Sequence, residues 1–533
     1  MLKNISHAGG VNPQAKERRE EPEEILFSTP FGYMFPDLVI GENTEENKLP
    51  VADSTIPALK RLGDAMADLG KPGQEIKKFN SNIPSVFTYL GQFIDHDITA
   101  RTDRETEISV INNGDDVNSA LLPTDPEVII NKLKNGRRPQ LDLDSVYGDG
   151  PALIPGGKVG ANTEAQFLYE DESLLLKVQE LGDFIDLPRV GRTAKIADMR
   201  NDENVIISQL HAAFLKFHNV IASSLPQHLS PQTRYTYARQ LVRWCYQYIV
   251  INDYLRAVCE PNIVDDILLN GPRFYRPGFS GNSVFMPLEF SVAGFRFGHS
   301  MIRPFYQLNR QSQVKIMNLL GVSRERPPES DLLEKNGNNY QLKKQFSIDW
   351  QNFVQFARNE PIPNFARKID PQISKGLFDL QLDGARANTF MSHLAQRNLV
   401  RGYSLSLPTG QKMAKAFGFQ PLTTEDLVDK EPNEKLKQAL EYGGFGNRTP
   451  LWYYILKEAA LQTGGNTLGA LGSSIVAETL IGLVKQDPNS YLNHLHNPAI
   501  QPNGIRIPRP YGRPLLINSI RDILACVAIR SRD

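Results

Sequence analysis

Residues 87–97 read Phe-Thr-Tyr-Leu-Gly-Gln-Phe-Ile-Asp-His-Asp, and the way their polar groups fall organises the reading of the whole chain. The spacing suits a helix: Gln92 and His96 lie at i and i+4 on one face with Asp95 beside them, and Asp97 is turned about 100° away. One face can then carry chemistry while Asp97 anchors the helix elsewhere. A lone histidine on a helix is ordinarily a satisfied structural group; two flanking carboxylates and a glutamine in the same turn argue for more. His96-Asp97 also fits a metal-dependent phosphohydrolase, but that site needs another upstream histidine, and the sequence offers only His7, in a polar stretch.

Four further segments carry chemistry. In Arg138-Pro-Gln-Leu-Asp-Leu-Asp-Ser-Val-Tyr-Gly148, carboxylates and carbonyls alternate as they do around a hard cation, since calcium takes six to eight oxygen ligands. Asp97 supplies a third carboxylate and favours calcium over a solvated acidic turn. Asp198-Met-Arg-Asn-Asp-Glu203 precedes a helical pattern, where an arginine normally makes a surface ion pair of little energetic value. Phe295-Arg-Phe-Gly-His-Ser-Met-Ile-Arg-Pro304 places Gly298, which permits close approach to the backbone, next to an apolar-flanked imidazole. The last is Arg397-Asn-Leu-Val-Arg-Gly402.

The chain has 533 residues, 41% hydrophobic and 22% charged, with 59 basic and 60 acidic side chains. This is the composition of a soluble globular protein, and it lacks the basic surplus that general nucleic-acid binding needs. Three cysteines, Cys245, Cys259 and Cys526, supply neither a disulfide framework nor a CxxC-type zinc site. Residues 1–25 form a polar stretch expected to be a mobile arm. It has no apolar core of a secretory signal, so the expected location is the cytoplasm, or outside by a route without an N-terminal signal. The longest apolar run, Leu468 to Val484, is broken by Glu478 and reads as a buried helix rather than a transmembrane segment.

Helical periodicity dominates. Ser230-Pro231 is a cap followed by proline at the first helical position, and the pattern through Leu241, Trp244, Ile249 and Leu255 predicts one long, mostly buried helix. Another is expected to start near Asp202 as cap and to end before Ser223-Ser224. Residues 394–400, 434–440 and 452–461 also suit helices, and strand patterns are short and scattered. Residues 325–339 read as a surface insertion. The fold class is therefore mainly α: a single large helical domain over residues 26–533, with long irregular loops and little β structure.

Taken in order, the five segments resemble the animal-type haem peroxidases of the peroxidase-cyclooxygenase superfamily, more closely their bacterial members, over about residues 87–410. The resemblance implies haem b and Ca²⁺ as cofactors. It makes His299 the proximal iron ligand and Asn398 the acceptor of a hydrogen bond from its other ring nitrogen. His96 becomes the distal base, with Gln92 its neighbour and Arg200 the distal cation. Asp97, Asp142 and Asp144 match calcium ligands, and Gln140 a position that contributes its carbonyl. Arg296 and Arg401 match residues near the haem propionates. Asp95 and Glu203 match carboxylates that become esterified to haem methyl groups, and Asn204 stands where one member has a haem-linked methionine.

The pattern has departures. Arg138 replaces the usual threonine of the calcium loop, so one hydroxyl ligand is lost. Arg296 occupies the place of the radical-forming tyrosine of the cyclooxygenases and fatty-acid dioxygenases. The expected activity is reduction of hydrogen peroxide with oxidation of a halide, pseudohalide or small aromatic donor. The alternatives are an oxygenase acting on fatty acids or hydroperoxides, and a non-catalytic haem-binding adhesion protein.

Overall fold

A computed structural model describes residues 29–68, 76–100, 121–148, 150–151, 153–154, 158–159, 168–170, 173–275, 284–357, 361–380, 392–509 and 513–528. The arm expected over residues 1–25 lies outside them. The chain is mostly helical, 48% helix against 13% strand, as the patterning predicts.

The helix that positions the site, Val86–Ile98, is buried along nearly its whole length. It packs against Val205–Ser224, which in turn packs against Pro231–Ile249. Asn204 caps Val205–Ser224 by accepting the Ile207 amide at 2.9 Å. The expected cap, Asp202, is instead held by Arg189, whose Nη1 and Nη2 donate to its two oxygens at 2.8 and 2.9 Å. Paired charge-assisted bonds to a buried guanidinium are stronger than one bond to a helix amide, and the cap moves two residues on. The far end also differs, because the helix runs through Ser224, whose hydroxyl donates back to the Val220 carbonyl.

Ser230 caps the next helix through the Thr233 amide, with Pro231 in the first turn. The expected long helix is present, with one local departure: Val250–Tyr254 winds as a π turn before Leu255–Val258 resumes the α-helix. This turn brings Tyr254 onto Gly91 of the first helix. A Cβ on Gly91 would lie 2.6 Å from the Tyr254 hydroxyl and 3.3 Å from Cζ, which gives a reason for glycine in mid-helix.

On the other side of the site, a π turn Glu289–Ala293 leads into a 3-10 helix Gly294–His299. Both pack on Leu451–Gln462, and the Trp452 indole donates to the Arg296 carbonyl at 3.1 Å. Ala470–Gln486 is a buried helix, and Glu478 within it accepts the amides of Arg273, Phe274 and Tyr275. Val205–Ser224 is long and apolar enough to cross a membrane, but 83% of its apolar window is buried, as in a core helix.

Strands are short. Thr29–Gly32 pairs in parallel with Met286–Pro287 and antiparallel with Lys134–Asn135. Residues 325–339, read as an insertion, contain the first strand of the hairpin Leu333–Asn336 and Asn339–Leu342, tied to the body by the Arg192–Asp331 ion pair and by the Leu342 amide on Asp186. Cys245 and Cys259 are buried and unbridged.

Candidate functional site

A cavity of about 100 Å³ lies where the helix Val86–Ile98 meets the Gly294–His299 turn. Gln92 and Asp95 line it from the first helix, Glu203 and Asn204 from the residues just ahead of Val205–Ser224, and Gly298 and His299 from the 3-10 turn, with Arg397 beside them. Apolar side chains such as Phe87, Tyr254, Phe295 and Leu320 complete the wall. Four of the residues expected from the sequence to share a site, Gln92, Asp95, Glu203 and His299, therefore do so.

Gln92 is pinned from both ends: its amide nitrogen donates to Glu203, and its oxygen accepts from Asn204 at 3.2 Å. Asp95 accepts the Thr99 hydroxyl at 2.9 Å. His96 is fully buried behind this layer, with Nε2 4.0 Å from the cavity-lining Glu203. Its Nδ1 lies 2.8 Å from Asn201 Oδ1. Burial, and secondarily the Arg200 cation, push His96 down to about 3, so the imidazole is neutral at physiological pH. A neutral imidazole can accept a proton.

Arg200 is placed differently from expectation. Its guanidinium binds the Asp198 carboxylate through Nε and Nη2, and donates to the carbonyls of Thr99 at 2.8 Å and His96 at 2.7 Å. It clamps the end of the His96 helix and is not part of the cavity wall. The Asp198 carboxylate, next but one in sequence, draws it there. Arg137 joins the same buried network, bonded to Asp198 and 3.1 Å from Asp144.

Asp97, Asp142 and Asp144 converge, their nearest oxygens all within 4.8 Å of one another, and all three are buried. Leu143 between the two loop aspartates is left-handed, φ 61°, a conformation costing about 1–2 kcal/mol for a residue with a Cβ. Its amide and the Ser145 hydroxyl donate to Asp97 at 3.2 and 3.1 Å. Burial raises Asp97 well above the carboxylate range, with Asp144 and Asp142 adding to it, and lifts Asp144 to about 7 despite Arg137. A cation would relieve both. Gln140 heads this loop, its amide donating to the Arg138 carbonyl at 2.8 Å.

His299 lies with Nδ1 2.9 Å from Asn398. The amide nitrogen faces the ring, the arrangement for a proton on Nε2. A metal on Nε2 requires the proton on Nδ1 and the carboxamide turned over so that its oxygen accepts. Burial, then the cations of Arg296, Arg397 and Arg401, keep His299 well below the usual imidazole range. Arg296 donates from Nε to the Ser291 carbonyl at 2.8 Å. Of the three arginines only Arg397 lines the cavity, a place expected for Arg296 and Arg401. Arg397 stands beside Asn398 in the sequence with no expected role, and Asn201, Asp198 and Arg137, equally without one, are brought to the site by tertiary contacts.

Comparison with known proteins matches residues 135–488 to the family model "Animal haem peroxidase". This span includes Asp142, Asp144, Arg200, Glu203, His299 and Asn398; the Val86–Ile98 helix precedes it. Mouse (Mus musculus) myeloperoxidase is 26% identical over 335 residues, 53% of this chain and 43% of that protein. Mouse thyroid peroxidase is 25% identical over 313 residues, 56% of this chain and 32% of that protein. The chain thus spans about a third to two fifths of the length of these curated relatives. Among solved structures, peroxidase A from Dictyostelium discoideum superposes with a TM-score of 0.58 at 14% identity, covering 89% of this chain and 90% of that one. A fatty acid alpha-dioxygenase from Oryza sativa gives 0.55 at 12% identity, covering 93% and 77%. With a family model matched over well over half its length, the chain belongs to the animal haem peroxidase family.

Proposed function

We propose that this protein is a haem-dependent peroxidase that reduces hydrogen peroxide and oxidises a halide, pseudohalide or small aromatic donor. One observation carries the reading: a neutral, buried His96 stands directly behind Gln92 and Glu203, which line the same cavity as His299, itself in contact with Asn398. The room suits the group, because a Cβ built on Gly298, beside His299, meets no atom within 4 Å. The donor set suits it as well, an imidazole with an amide on its second nitrogen.

Bound haem supplies the redox equivalents for peroxide reduction. His299 would hold the iron, and Asn398, its carboxamide turned over, would fix the ring. His96 takes a proton from hydrogen peroxide at Nε2 and returns it to the departing oxygen, for which a neutral imidazole is suited. Gln92 orients the small molecule, Asp95 and Glu203 are within the cavity to form ester links, and Arg397, Arg296 and Arg401 provide positive charge for the propionates. Arg200 contributes its charge from behind the helix and holds the His96 backbone. Asp97, Asp142, Asp144 and the Gln140 carbonyl would hold a calcium ion, which would keep that helix in register. In this reading residues 26–533 form one domain around the haem.

The dioxygenase alternative is disfavoured by Arg296, which offers no oxidisable phenol where those enzymes carry tyrosine. The test is the visible spectrum of the purified protein, followed by peroxide with guaiacol, bromide or linoleate in turn. A Soret band and turnover of guaiacol or bromide are expected. No Soret band after haem supplementation would sink the proposal, and turnover of linoleate alone would replace it with the oxygenase. His299→Ala should lose the axial ligand, whereas His96→Gln should keep haem and react with peroxide roughly 10²–10⁴-fold more slowly.

A further inference from the structure

Behind His96 runs a hydrogen-bonded series that the reading above does not use. His96 Nδ1 is 2.8 Å from Asn201 Oδ1, and Asn201 Nδ2 is 2.9 Å from His211 Nδ1. All three side chains are fully buried. An amide oxygen only accepts and an amide nitrogen only donates, so the series has one sense: His96 donates from Nδ1 and His211 accepts at Nδ1. Two bonds thereby set the tautomers of two imidazoles. Reversing the sense requires the amide to turn over and both rings to exchange their proton position together.

The series is built on rigid elements. Asn201 sits in the 3-10 turn Met199–Asp202, with Arg200 clamped by Asp198 on one side and Asp202 by Arg189 on the other. His211 lies within the helix Val205–Ser224, its ring packed edge-on to Phe93 at 6.1 Å. His211 Nε2, which carries the ring's proton in this sense, meets no hydrogen-bond partner among the described residues, and burial keeps the ring neutral.

We propose that Asn201 and His211 are positioning residues that hold His96 as the Nδ1–H tautomer, leaving Nε2, the nitrogen nearest Glu203, as the proton acceptor. The proposal rests on the reading of His96 as the base. In the other tautomer Nε2 carries the proton and has no lone pair with which to take one from peroxide.

The test is ¹⁵N NMR of the full chain labelled at its histidines, recorded without porphyrin and again loaded with diamagnetic zinc protoporphyrin, the His96 signals being identified by their loss in His96→Gln. Long-range couplings give the tautomer. His96 protonated on Nδ1 and His211 on Nε2 is the expected result; His96 protonated on Nε2 overturns the proposal. Refusal of porphyrin counts against the haem reading instead, while the tautomer still decides the relay. Asn201→Leu should mix the His96 tautomers and slow the reaction of the haem-loaded protein with peroxide by about tenfold or more, part of the usual contribution of a general base. His211→Gln, whose amide oxygen still accepts from Asn201, should retain both the tautomer and the rate within about threefold. An unchanged tautomer and rate in Asn201→Leu would also overturn it.

Discussion

Replacing Gly91 by alanine sets two opposed effects against each other. Alanine in a helix interior gains about 0.5–1 kcal/mol over glycine. The new methyl would, however, sit 2.6 Å from the Tyr254 hydroxyl and 3.3 Å from its ring, and crowding a packed interior costs about 1–3 kcal/mol. Tyr254 is 2% exposed, so its ring has little room to tilt away. The net expectation is a loss of roughly 1–2 kcal/mol. In a Tyr254→Phe background the hydroxyl is gone, the nearest atom is the ring carbon at 3.3 Å, and the same substitution should be neutral or gain up to about 1 kcal/mol. The two changes should therefore couple by about 1–3 kcal/mol, in the range of side chains in direct contact. Urea denaturation of the four proteins at equal slope measures this. If Gly91→Ala costs the same with tyrosine and with phenylalanine at 254, close approach is not why glycine occupies the helix. Because Tyr254 lines the cavity, porphyrin uptake should weaken in the single variant and recover in the double one.

Other expectations follow from the buried acids and the cap. Asp97 is raised by burial and neighbouring carboxylates, and Asp144 to about 7 by burial; the metal-free folded chain thus keeps protons that the unfolded chain has lost, and its stability falls as pH rises from about 4 to about 7. Calcium requires the ionised forms, so the drop in melting temperature caused by a chelator should be large near pH 8 and vanish near pH 5; equal drops would contradict the site. Glu289, raised to about 7 by burial although the Met34 and Phe35 amides oppose it, has the same sign, and Glu289→Gln should flatten the loss of stability between about pH 4.5 and 7. An unaltered slope in pH-dependent denaturation would rule it out. Asn204→Ala should cost about 1 kcal/mol through the lost cap, and a cost near zero in denaturant would mean that Asn204 matters only through Gln92.

The helical period was sufficient to separate Gln92, Asp95 and His96 from Asp97, because both sets of contacts follow from one helix of 3.6 residues per turn. Ser230-Pro231 was equally readable, since a cap and its proline are local signals. Asp202 reads locally as a cap, but its partner, Arg189, is brought in by the tertiary fold, and a buried guanidinium overrides a local preference. The same holds for Arg200: its residue type was legible, but its direction is decided by Asp198 and by carbonyls about a hundred residues away. The contact of His299 with Asn398 was reached through family resemblance, not through any spacing. Asn201 and His211 gave no signal at all, because a hydrogen-bonded series between a turn and a helix leaves no period in the chain.

The π turn at Val250–Tyr254 has a consequence for chain length. One surplus residue in a helix advances everything beyond it by about 100° of azimuth while adding only about 1.5 Å of reach. Ahead of the turn, Tyr246 stands beside Asp97 of the acidic trio; after it, Tyr254 meets Gly91 and the cavity. The turn is therefore a phase shifter that lets a single rod address two sites needing different faces. Deleting one residue between 250 and 253 would leave the rod nearly as long and Tyr246 where it is, but would swing Tyr254 off Gly91. The acidic trio and the cavity would then be out of phase, with every upstream contact intact.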